Sequence, residues 1–304
     1  MAFESQYIWM DGELVEYEKA TIPFLTPALH YGYAVFEGIR CYAAQQGPAI
    51  FRLREHTQRL LNSAELLWFR KLPYSLDELS QAAKEVVQAN GFTACYIRPL
   101  IYLTRSIGNL SLRAGEPKIG IAAWDWPKYL SGDHQKGIRL NTSSFTRHHH
   151  NIMLTKAKAS GNYVNSGLAK TESEMLGFDE AVMLDPQGYV AECTGENLFL
   201  VRRGKIYTPP AAAILEGITR DSIITLAADL GFPVFEQPIS RDQLYIADEL
   251  FLSGTAAEVV PVTEVDHHLI GEGTTGPITQ SLRETFNKII AGHHPRSQEW
   301  LEWV

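Results

Sequence analysis

The stretch Lys158-Ala159-Ser160-Gly161-Asn162-Tyr163 decides the fold and the chemistry expected of this chain, together with Glu192 further along it. A lysine among small residues can form a Schiff base with an aldehyde without steric conflict. A later carboxylate such as Glu192 can keep the ring nitrogen of a pyridine aldehyde protonated, which makes that ring an electron sink. Taken alone, Lys158 would be a surface ammonium. The pairing with Glu192 indicates chemistry on amino groups if the rest of the chain agrees.

Other segments agree with this interpretation and follow one another in a fixed order. They are His30-Tyr31-Gly32, Val35 to Arg40, Phe51-Arg52 through Arg59-Leu60, Tyr96 to Pro99, Glu192 to Phe199, Leu215 to Asp221, and Ser253 to Glu258. Together with the lysine segment they resemble the branched-chain amino acid aminotransferases, a fold-type IV pyridoxal-phosphate family. The resemblance is collinear from about Tyr7 to about Phe286. It implies an α/β (α+β) fold of two domains, a small N-terminal α/β domain and a larger C-terminal pseudo-barrel domain.

Composition excludes several other classes of protein. A chain of 304 residues is long enough for two domains, and 45% hydrophobic with 20% charged residues is usual for a globular protein. A net charge of −8 argues against a nucleic-acid or anionic-membrane partner. The 3 cysteines show no Cys-x-x-Cys spacing, which favours a reducing cytoplasm over zinc or disulfides. We find no signal-peptide pattern at the start and no apolar run of about 20 residues.

The composition shifts to Pro, Gly, Ser, Asp and His between Pro127 and Gly137, as is typical of a linker. We therefore expect a small N-terminal domain over residues 1–127 and an interdomain linker over 128–136. Residues 137–304 would form the large C-terminal domain, which carries the Schiff-base lysine.

Local patterns predict the main elements. We expect the first forty residues to form strands, with Asp11-Gly12 as a hairpin turn. Pro99 lacks an amide donor, so the strand at 96–103 should lie at a sheet edge or place Pro99 where no ladder bond is needed. Ser75 and Glu78 form a capping box that opens a helix. Other helices are expected at 54–67, 163–176 and 219–230, and hairpins at 180–191 and 198–207.

The resemblance assigns a set of cofactor-binding residues. Lys158 is the catalytic residue, and the cofactor contacts are Arg59, Tyr163, Glu192, Leu215, Gly217, Ile218, Thr219 and Thr255. The helix start at Gly217-Ile218-Thr219 and the arginine would bind the phosphate, because free amides and a guanidinium suit an anion. Tyr163 would donate to the cofactor's ring oxygen. Alternatives stay open: Thr219 as a simple N-cap, Arg59 as a surface charge, Lys156 as the nucleophile and Glu196 in place of Glu192.

The same resemblance assigns the substrate contacts. They are Tyr31, Phe36, Gly38, Arg40, Tyr96, Arg98, Trp126, Tyr129 and Ala256, with Tyr31 supplied by a neighbouring subunit. Tyr96 and Arg98 are two apart on a strand and so share a face. Arg98 would bind the distal carboxylate of glutamate or 2-oxoglutarate, and the amides of Thr255 and Ala256 the α-carboxylate. The aromatic residues can equally be plain core.

Some positions depart from the family pattern. The loop Arg105 to Ser111 replaces a Gly-Met-Gly-Val-like loop, Glu216 stands where proline is common, and Cys193-Thr194 replace smaller residues. The run His148-His149-His150 invites a metal hypothesis. Adjacent histidines on an extended segment point to alternate sides, however, whereas a zinc site needs convergent ligands. We expect no metal.

These observations predict an aminotransferase that uses pyridoxal 5'-phosphate to move amino groups from branched-chain L-amino acids (Leu, Ile, Val) to 2-oxoglutarate. The alternatives are a D-amino-acid or (R)-amine transaminase, or an aminodeoxychorismate lyase, of the same fold. A different class is a non-catalytic small-molecule binding protein in which Lys158 is a plain ammonium. The expected partners are amino acid and 2-oxo acid substrates, with no nucleic acid and no membrane. The active form should be at least a homodimer, and a hexamer built as a trimer of dimers is compatible with the family.

Overall fold

The computed structural model describes residues 5–70, 72–105, 107–126 and 137–304. The chain divides into two compact units. The first contains the described residues before 127 together with 157–162 and 289–304, and the second contains the described residues 137–156 and 163–288. The Lys158 segment therefore packs with the first unit. The expected domain limits stay a prediction, since the linker 128–136 lies outside the described residues.

The helices are short to medium in length. They are α1 (Pro27–Tyr31), α2 (Leu53–Leu66), α3 (Leu76–Ala89), α4 (Tyr163–Met175), α5 (Ile218–Asp229), α6 (Arg241–Tyr245), α7 (Pro277–Ile290) and α8 (Ser297–Trp300), with 3₁₀ turns at Tyr17–Lys19, Leu112–Ala114, Ser160–Asn162 and Ala211–Ala213. None of the helices in the described part of the chain has the length and apolarity needed to span a bilayer.

The strands build one sheet in each unit. They are β1 (Tyr7–Met10), β2 (Glu13–Glu16), β3 (Ala34–Phe36), β4 (Ile39–Ala44), β5 (Gly47–Phe51), β6 (Cys95–Thr104), β7 (Glu116–Trp124), β8 (Ile138–Thr142), β9 (Glu180–Leu184), β10 (Val190–Cys193), β11 (Asn197–Arg202), β12 (Lys205–Thr208), β13 (Val234–Glu236), β14 (Glu249–Gly254), β15 (Glu258–Val265), β16 (His268–Leu269) and β17 (Leu301–Trp303).

The sheet of the first unit has the strand order β17-β5-β4-β6-β7-β1-β2, with β3 also paired to β6. Its described pairs are antiparallel. Helices α2 and α3 bury apolar residues against it, among them Leu60 and Val86. The capping box at the start of α3 is confirmed, since Ser75 accepts from the amide of Glu78 and the Glu78 side chain accepts from the amide of Ser75.

Pro99 lies in the middle of this sheet, because β6 has β4 on one side and β7 on the other. The expected position at a sheet edge is therefore wrong. The alternative holds, in which Pro99 occupies a position that needs no ladder hydrogen bond. Pro99 lies opposite the break between β3 and β4, where its carbonyl accepts from the amide of Glu37 at 3.0 Å. A residue's amide and carbonyl face the same neighbour in an antiparallel pair. The missing donor of Pro99 consequently falls where the ladder is interrupted.

The start of the chain is only partly as expected. The hairpin at Asp11-Gly12 is confirmed by the pairing of Met10 with Glu13. The prediction of strands throughout the first forty residues is wrong, because α1 occupies Pro27–Tyr31. Proline is favoured in the first turn of a helix, and Gly32 ends this one in the left-handed conformation at φ 69°. A β-carbon on Gly32 would also lie 3.0 Å from the α-carbon of Gly161.

The second unit has a mixed sheet in the order β10-β9-β8-β15-β14-β11-β12-β13, with β16 paired to β15. The predicted hairpins are confirmed as β9–β10 and β11–β12. The predicted helices are confirmed as α4 and α5 within a residue or two at each end. The core of this sheet is made by buried leucines and valines such as Leu198, Leu252 and Val260. Its strands carry Glu192 on β10 and lead into the turn of Thr255 and Ala256 after β14.

Candidate active site

Hydrogen bonds to its main chain hold Lys158, the expected catalytic lysine, in place. The amide of Lys158 donates to Oγ of Ser63 at 3.0 Å, and its carbonyl accepts from the amide of Phe36 at 3.0 Å. The next residue, Ala159, forms a β-bridge with Val35. Nζ of Lys158 lies 5.0 Å from the centroid of the Phe36 ring. The backbone of the lysine segment is therefore fixed on both sides.

A buried ion pair orients Arg59, which α2 carries one turn before Ser63. Its Nε donates to Oε1 of Glu37 at 2.6 Å and its Nη2 donates to Oε2 at 2.9 Å. Nδ1 of His56 lies 2.8 Å from Oε2 of the same carboxylate. Glu37 and His56 are both fully buried. Arg59 is thus a member of a network and not a charge on the helix surface.

Electrostatics fix the charge states within this network. Burial raises the pKa of Glu37, but the charge of Arg59 and the hydrogen bond from His56 outweigh it and hold that pKa well below its usual range. Burial lowers the pKa of His56 below its ordinary value, against the opposing effect of Glu37. Glu37 is therefore an anion beside a neutral imidazole. Because a carboxylate only accepts, we assign the ring proton of His56 to Nδ1.

The expected substrate residues of the first unit form an aromatic and cationic group. The guanidinium carbon of Arg98 lies 4.8 Å from the Phe36 ring centroid and 5.2 Å from that of Tyr96. Nη2 of Arg98 donates to Oη of Tyr96 at 3.3 Å, which confirms that the two side chains share a face. Arg40 pairs with Tyr96 across β4 and β6. The Trp126 ring centroid lies 4.3 Å from that of Tyr96.

Gly38 is required beside Tyr96, since a β-carbon at position 38 would lie 1.9 Å from Oη of Tyr96.

Tyr31 ends α1, and its ring centroid lies 5.2 Å from that of Tyr33. Tyr129 lies outside the described residues, so its expected contact stays a prediction.

In the second unit, Glu192 lies on β10, and Arg147, Asn197 and the amide of Leu215 hold its carboxylate. Arg147 donates from Nε at 2.8 Å and its Nη2 lies 2.8 Å from the same oxygen, Oε1. Oε2 accepts from Nδ2 of Asn197 at 3.2 Å and from the amide of Leu215 at 3.3 Å. Glu192 is therefore buried and rigidly oriented. Glu196 is also buried, but its Oε2 accepts locally from the amide of Gly195 at 3.2 Å.

The expected phosphate-binding turn starts α5, for which Gly217 is the N-cap. A β-carbon on Gly217 would lie 2.0 Å from Oδ1 of Asn197, so only glycine fits. Ile218 and Thr219 follow in the first turn and are buried. Thr255 and Ala256 form the turn between β14 and β15, and Ser253 beside it pairs with Asn197. The dipole of α5 favours negative charge at the start of the helix, so this corner suits an anion.

Lys156 and Tyr163 take different places in the second unit. Nζ of Lys156 donates to the carbonyls of Ala211 and of Ile214, the latter at 3.0 Å, and lies 3.2 Å from Glu216. This lysine is engaged in holding the loop that precedes Leu215. Tyr163 is the first residue of α4 and is half-buried.

The structure adds residues that had no role assigned from the sequence. Glu37, His56 and Ser63 surround Arg59 and Lys158 in the first unit, and Arg147 and Asn197 hold Glu192 in the second. Glu37, His56 and Asn197 lie inside segments already noted. Asn197 is 5 residues from Glu192. The contacts of Glu37, Ser63 and Arg147 span 22, 95 and 45 residues, so no local spacing indicated these three.

Comparison with known proteins identifies the family. The sequence profile described as Amino-transferase class IV matches residues 34–265. The chain belongs to the class IV aminotransferase family. It is 48% identical to the branched-chain-amino-acid aminotransferase of Pseudomonas aeruginosa over 100% of this chain and 99% of the relative. It is 43% identical to that of Escherichia coli over 99% and 98% of the two chains.

Solved structures of aminotransferases have the same fold. The branched-chain amino acid aminotransferase of Thermoproteus uzoniensis with norvaline gives a TM-score of 0.93 at 44% identity, covering 98% of this chain and 99% of that one. The enzyme of Escherichia coli gives 0.95 at 43% identity, covering 98% and 99%. Another branched-chain amino acid aminotransferase, complexed with N-(5'-phosphopyridoxyl)-L-glutamate, gives 0.95 at 48% identity, covering 99% of each chain. The family, the two-domain α/β fold class and the aminotransferase class expected from the sequence are thereby confirmed.

The donor set fits the cofactor of this family, pyridoxal 5'-phosphate. A guanidinium oriented by a carboxylate and a glycine-capped helix start suit the phosphate, and a carboxylate with a fixed direction suits a pyridine nitrogen. The lysine has the primary amine that a Schiff base requires.

Proposed function

We propose that this chain catalyses the transfer of the amino group from branched-chain L-amino acids to 2-oxoglutarate, with pyridoxal 5'-phosphate as cofactor. The observation that carries the proposal is the clamping of the Lys158 main chain by Ser63 and Phe36, in a chain collinear with branched-chain aminotransferases. A nucleophilic lysine needs a main chain held in a fixed position, and these two hydrogen bonds hold it there.

The residues of the first unit have distinct roles in the proposal. Lys158 would be the residue that holds the cofactor covalently, and its Nζ would take the proton from the substrate's Cα and later return one. Arg59 binds the phosphate. Pyridoxal 5'-phosphate supplies an electron sink for the charge that develops at Cα.

The second unit stabilises the charged form of the ring. Glu192 accepts from the pyridine nitrogen, and its direction is set by Arg147, Asn197 and the amide of Leu215. Tyr163 donates to the ring oxygen. The amides of Gly217, Ile218 and Thr219 bind the phosphate, and Thr255 lies in the turn that completes this anion site.

Substrate selection rests on the group around Phe36. Arg98 pairs with the distal carboxylate of glutamate or 2-oxoglutarate, while Phe36, Tyr96 and Trp126 contact branched side chains. Gly38 and Arg40 shape this surface, and the amides of Thr255 and Ala256 bind the α-carboxylate. The full-length similarity to branched-chain aminotransferases favours this specificity over D-amino acids or (R)-amines.

A homodimer completes the proposal. The segment before and within α1 exposes apolar side chains, with Phe24 79%, Leu25 60% and Leu29 58% exposed. Tyr33, which follows this segment, donates from Oη to the carbonyl of Leu110, itself 71% exposed, in the loop 105–111. Contiguous exposed apolar surface is typical of an interface. Tyr31 and this loop would close the pocket of a second copy, and further assembly into a trimer of dimers fits the same proposal.

An amino-donor panel tests the function. L-leucine, L-isoleucine and L-valine should support turnover with 2-oxoglutarate, and D-amino acids and both enantiomers of a chiral amine should be poorer donors. Greater turnover with a D-amino acid or an (R)-amine would overturn the substrate assignment. No turnover with any donor by protein loaded with cofactor would favour a binding protein.

A further inference from the structure

Glu37 is the most deeply buried charged group in the described part of the first unit that the sequence left without a role. Its carboxylate has 0% exposure. An unpaired carboxylate in such a place would be strongly unfavourable. Here it accepts from Arg59 Nε at 2.6 Å, from Arg59 Nη2 at 2.9 Å and from the amide of Gly38 at 3.2 Å. His56 Nδ1 adds a further bond at 2.8 Å. The anion is thus satisfied by donors that all converge on it.

The two bonds from Arg59 reach different oxygens of Glu37. This is the fork-to-fork arrangement, which fixes the plane of a guanidinium as well as its position. Once one edge of the plane is fixed, the directions of the remaining N–H groups are fixed too. A free arginine side chain would lose much conformational freedom on binding an anion, whereas this one has lost it on folding.

His56 holds the carboxylate from another side. It lies three residues before Arg59 on α2, so the two side chains emerge from the same face of the helix. Burial keeps its ring neutral, and a neutral imidazole donating from Nδ1 fixes Oε2 of Glu37 without adding charge. His56 therefore orients the carboxylate of Glu37, and Glu37 in turn orients the guanidinium of Arg59.

We propose that Glu37, supported by His56, is a positioning residue that aims the Arg59 guanidinium at the cofactor phosphate. This inference rests on the proposed function, in which Arg59 binds that phosphate. Charge alone has the opposite effect on phosphate binding, because the negative charge of Glu37 partly cancels the positive charge of Arg59. Preorganisation predicts that removing the Glu37 charge weakens phosphate binding, and charge cancellation predicts that it strengthens it.

The test compares cofactor-free protein binding pyridoxal 5'-phosphate with the same protein binding pyridoxal, which lacks the phosphate. Equilibrium dialysis would give both dissociation constants for wild type, Glu37→Gln, Arg59→Ala and the double variant. Glu37→Gln should weaken binding of pyridoxal 5'-phosphate about five- to tenfold and leave pyridoxal unchanged. The double variant should be no weaker than Arg59→Ala, because Glu37 acts only through that residue.

Glu264→Gln is the matched control. Glu264 pairs with Arg139 at 2.8 Å in the second unit and belongs to no part of the proposed site. Its variant should bind both ligands as the wild type does. Circular dichroism and thermal unfolding of each cofactor-free variant would show whether it has the fold and the stability of the wild type.

His56→Gln provides a second variant, since it leaves the Glu37 and Arg59 charges in place. It should weaken binding of pyridoxal 5'-phosphate about two- to threefold and leave binding of pyridoxal unchanged. If Glu37→Gln does not fold, this variant alone tests the inference.

Equal losses of affinity for both ligands, tighter binding of pyridoxal 5'-phosphate, or no change of affinity in the folded variant would overturn the inference. If Arg59→Ala weakens phosphate binding while the Glu37 and His56 variants do not, the role of Arg59 stands and the positioning role falls. If Arg59→Ala has no effect, both fall.

Discussion

The amide of Lys158 donates to Oγ of Ser63 at 3.0 Å, so α2 holds the main chain of the lysine segment. The same hydroxyl donates to the carbonyl of Arg59 at 2.8 Å. One side chain on α2 thereby connects the residue proposed for the phosphate with the residue proposed for catalysis. Ser63 is fully buried.

Ser63→Ala should leave the Lys158 amide without this acceptor and lower the free energy of unfolding by about 1–3 kcal/mol. It should also lower kcat by about fivefold, because the origin of the catalytic side chain is less fixed. Denaturant unfolding and steady-state kinetics measure the two effects. Thr57→Ala is the matched control, since Thr57 makes a similar bond to the carbonyl of Leu53 but none to the lysine segment. A Thr57→Ala enzyme as slow as Ser63→Ala would remove the special role of Ser63.

Glu192→Gln should slow the proton transfer at the substrate's Cα by about a hundredfold, because a neutral amide stabilises a protonated ring nitrogen far less than a carboxylate does. Glu196→Gln, whose carboxylate contacts Gly195 locally, should change the rate by less than about threefold. Single-turnover reactions with L-leucine measure both. A larger defect in the Glu196 variant would reverse the assignment.

Arg98→Ala should impair the half reaction with glutamate or 2-oxoglutarate far more than that with leucine. Only the former substrates carry a second carboxylate, and loss of a charge-assisted contact is worth roughly 2–3 kcal/mol, or about 30- to 150-fold. Stopped-flow measurement of each half reaction gives the comparison. Similar losses in both would mean that Arg98 binds the α-carboxylate common to all substrates or is structural.

The stability of the fold should depend on the half-buried His148. Burial and the charge of Arg147 lower the pKa of His148 from 6.5 to about 4. The unfolded chain then binds a proton below about pH 6.5 that the folded chain does not bind until about pH 4. The contribution of His148 to the free energy of unfolding is therefore fully present above pH 6.5 and is lost as the pH falls from 6.5 to about 4.

Solvent screening limits that loss to about 1–2 kcal/mol. His148→Gln should flatten the wild-type decline in unfolding free energy over this window, as urea unfolding at several pH values would show. His56 has a lowered pKa too and remains in both proteins, so the difference isolates His148. An unchanged slope in the variant would contradict the prediction.

The elements with strong local signals were predictable. Asp11-Gly12, the Ser75 capping box and the spacing of α2 and α5 each depend on neighbours within a few residues. The helix α1 was not, because a proline start and a glycine end carry its signal over only 5 residues. The interior position of Pro99 depends on a break in two other strands, which no local pattern reveals.

In the candidate site, too, the residues with a local sequence signal were predictable and those positioned by distant parts of the chain were not. Lys158, Arg59 and Glu192 each lie in a motif and could be predicted, whereas Ser63, Glu37 and Arg147, which support them, are distant along the chain. Ser63 reaches Lys158 and Arg147 reaches Glu192 only because the folded sheets and helices bring them together. Long-range contacts of this kind require the structure.

The most direct test is chemical labelling of the lysine. Protein loaded with pyridoxal 5'-phosphate is reduced with sodium borohydride and digested, and the modified peptide is identified by mass spectrometry. A phosphopyridoxyl group is expected on Lys158, and both this label and all turnover should be lost in Lys158→Ala. Lys156→Ala should keep the label, because that side chain is bonded to the carbonyls of Ala211 and Ile214. A label on Lys156, or one that persists in Lys158→Ala, would show that Lys158 is not the lysine that binds the cofactor.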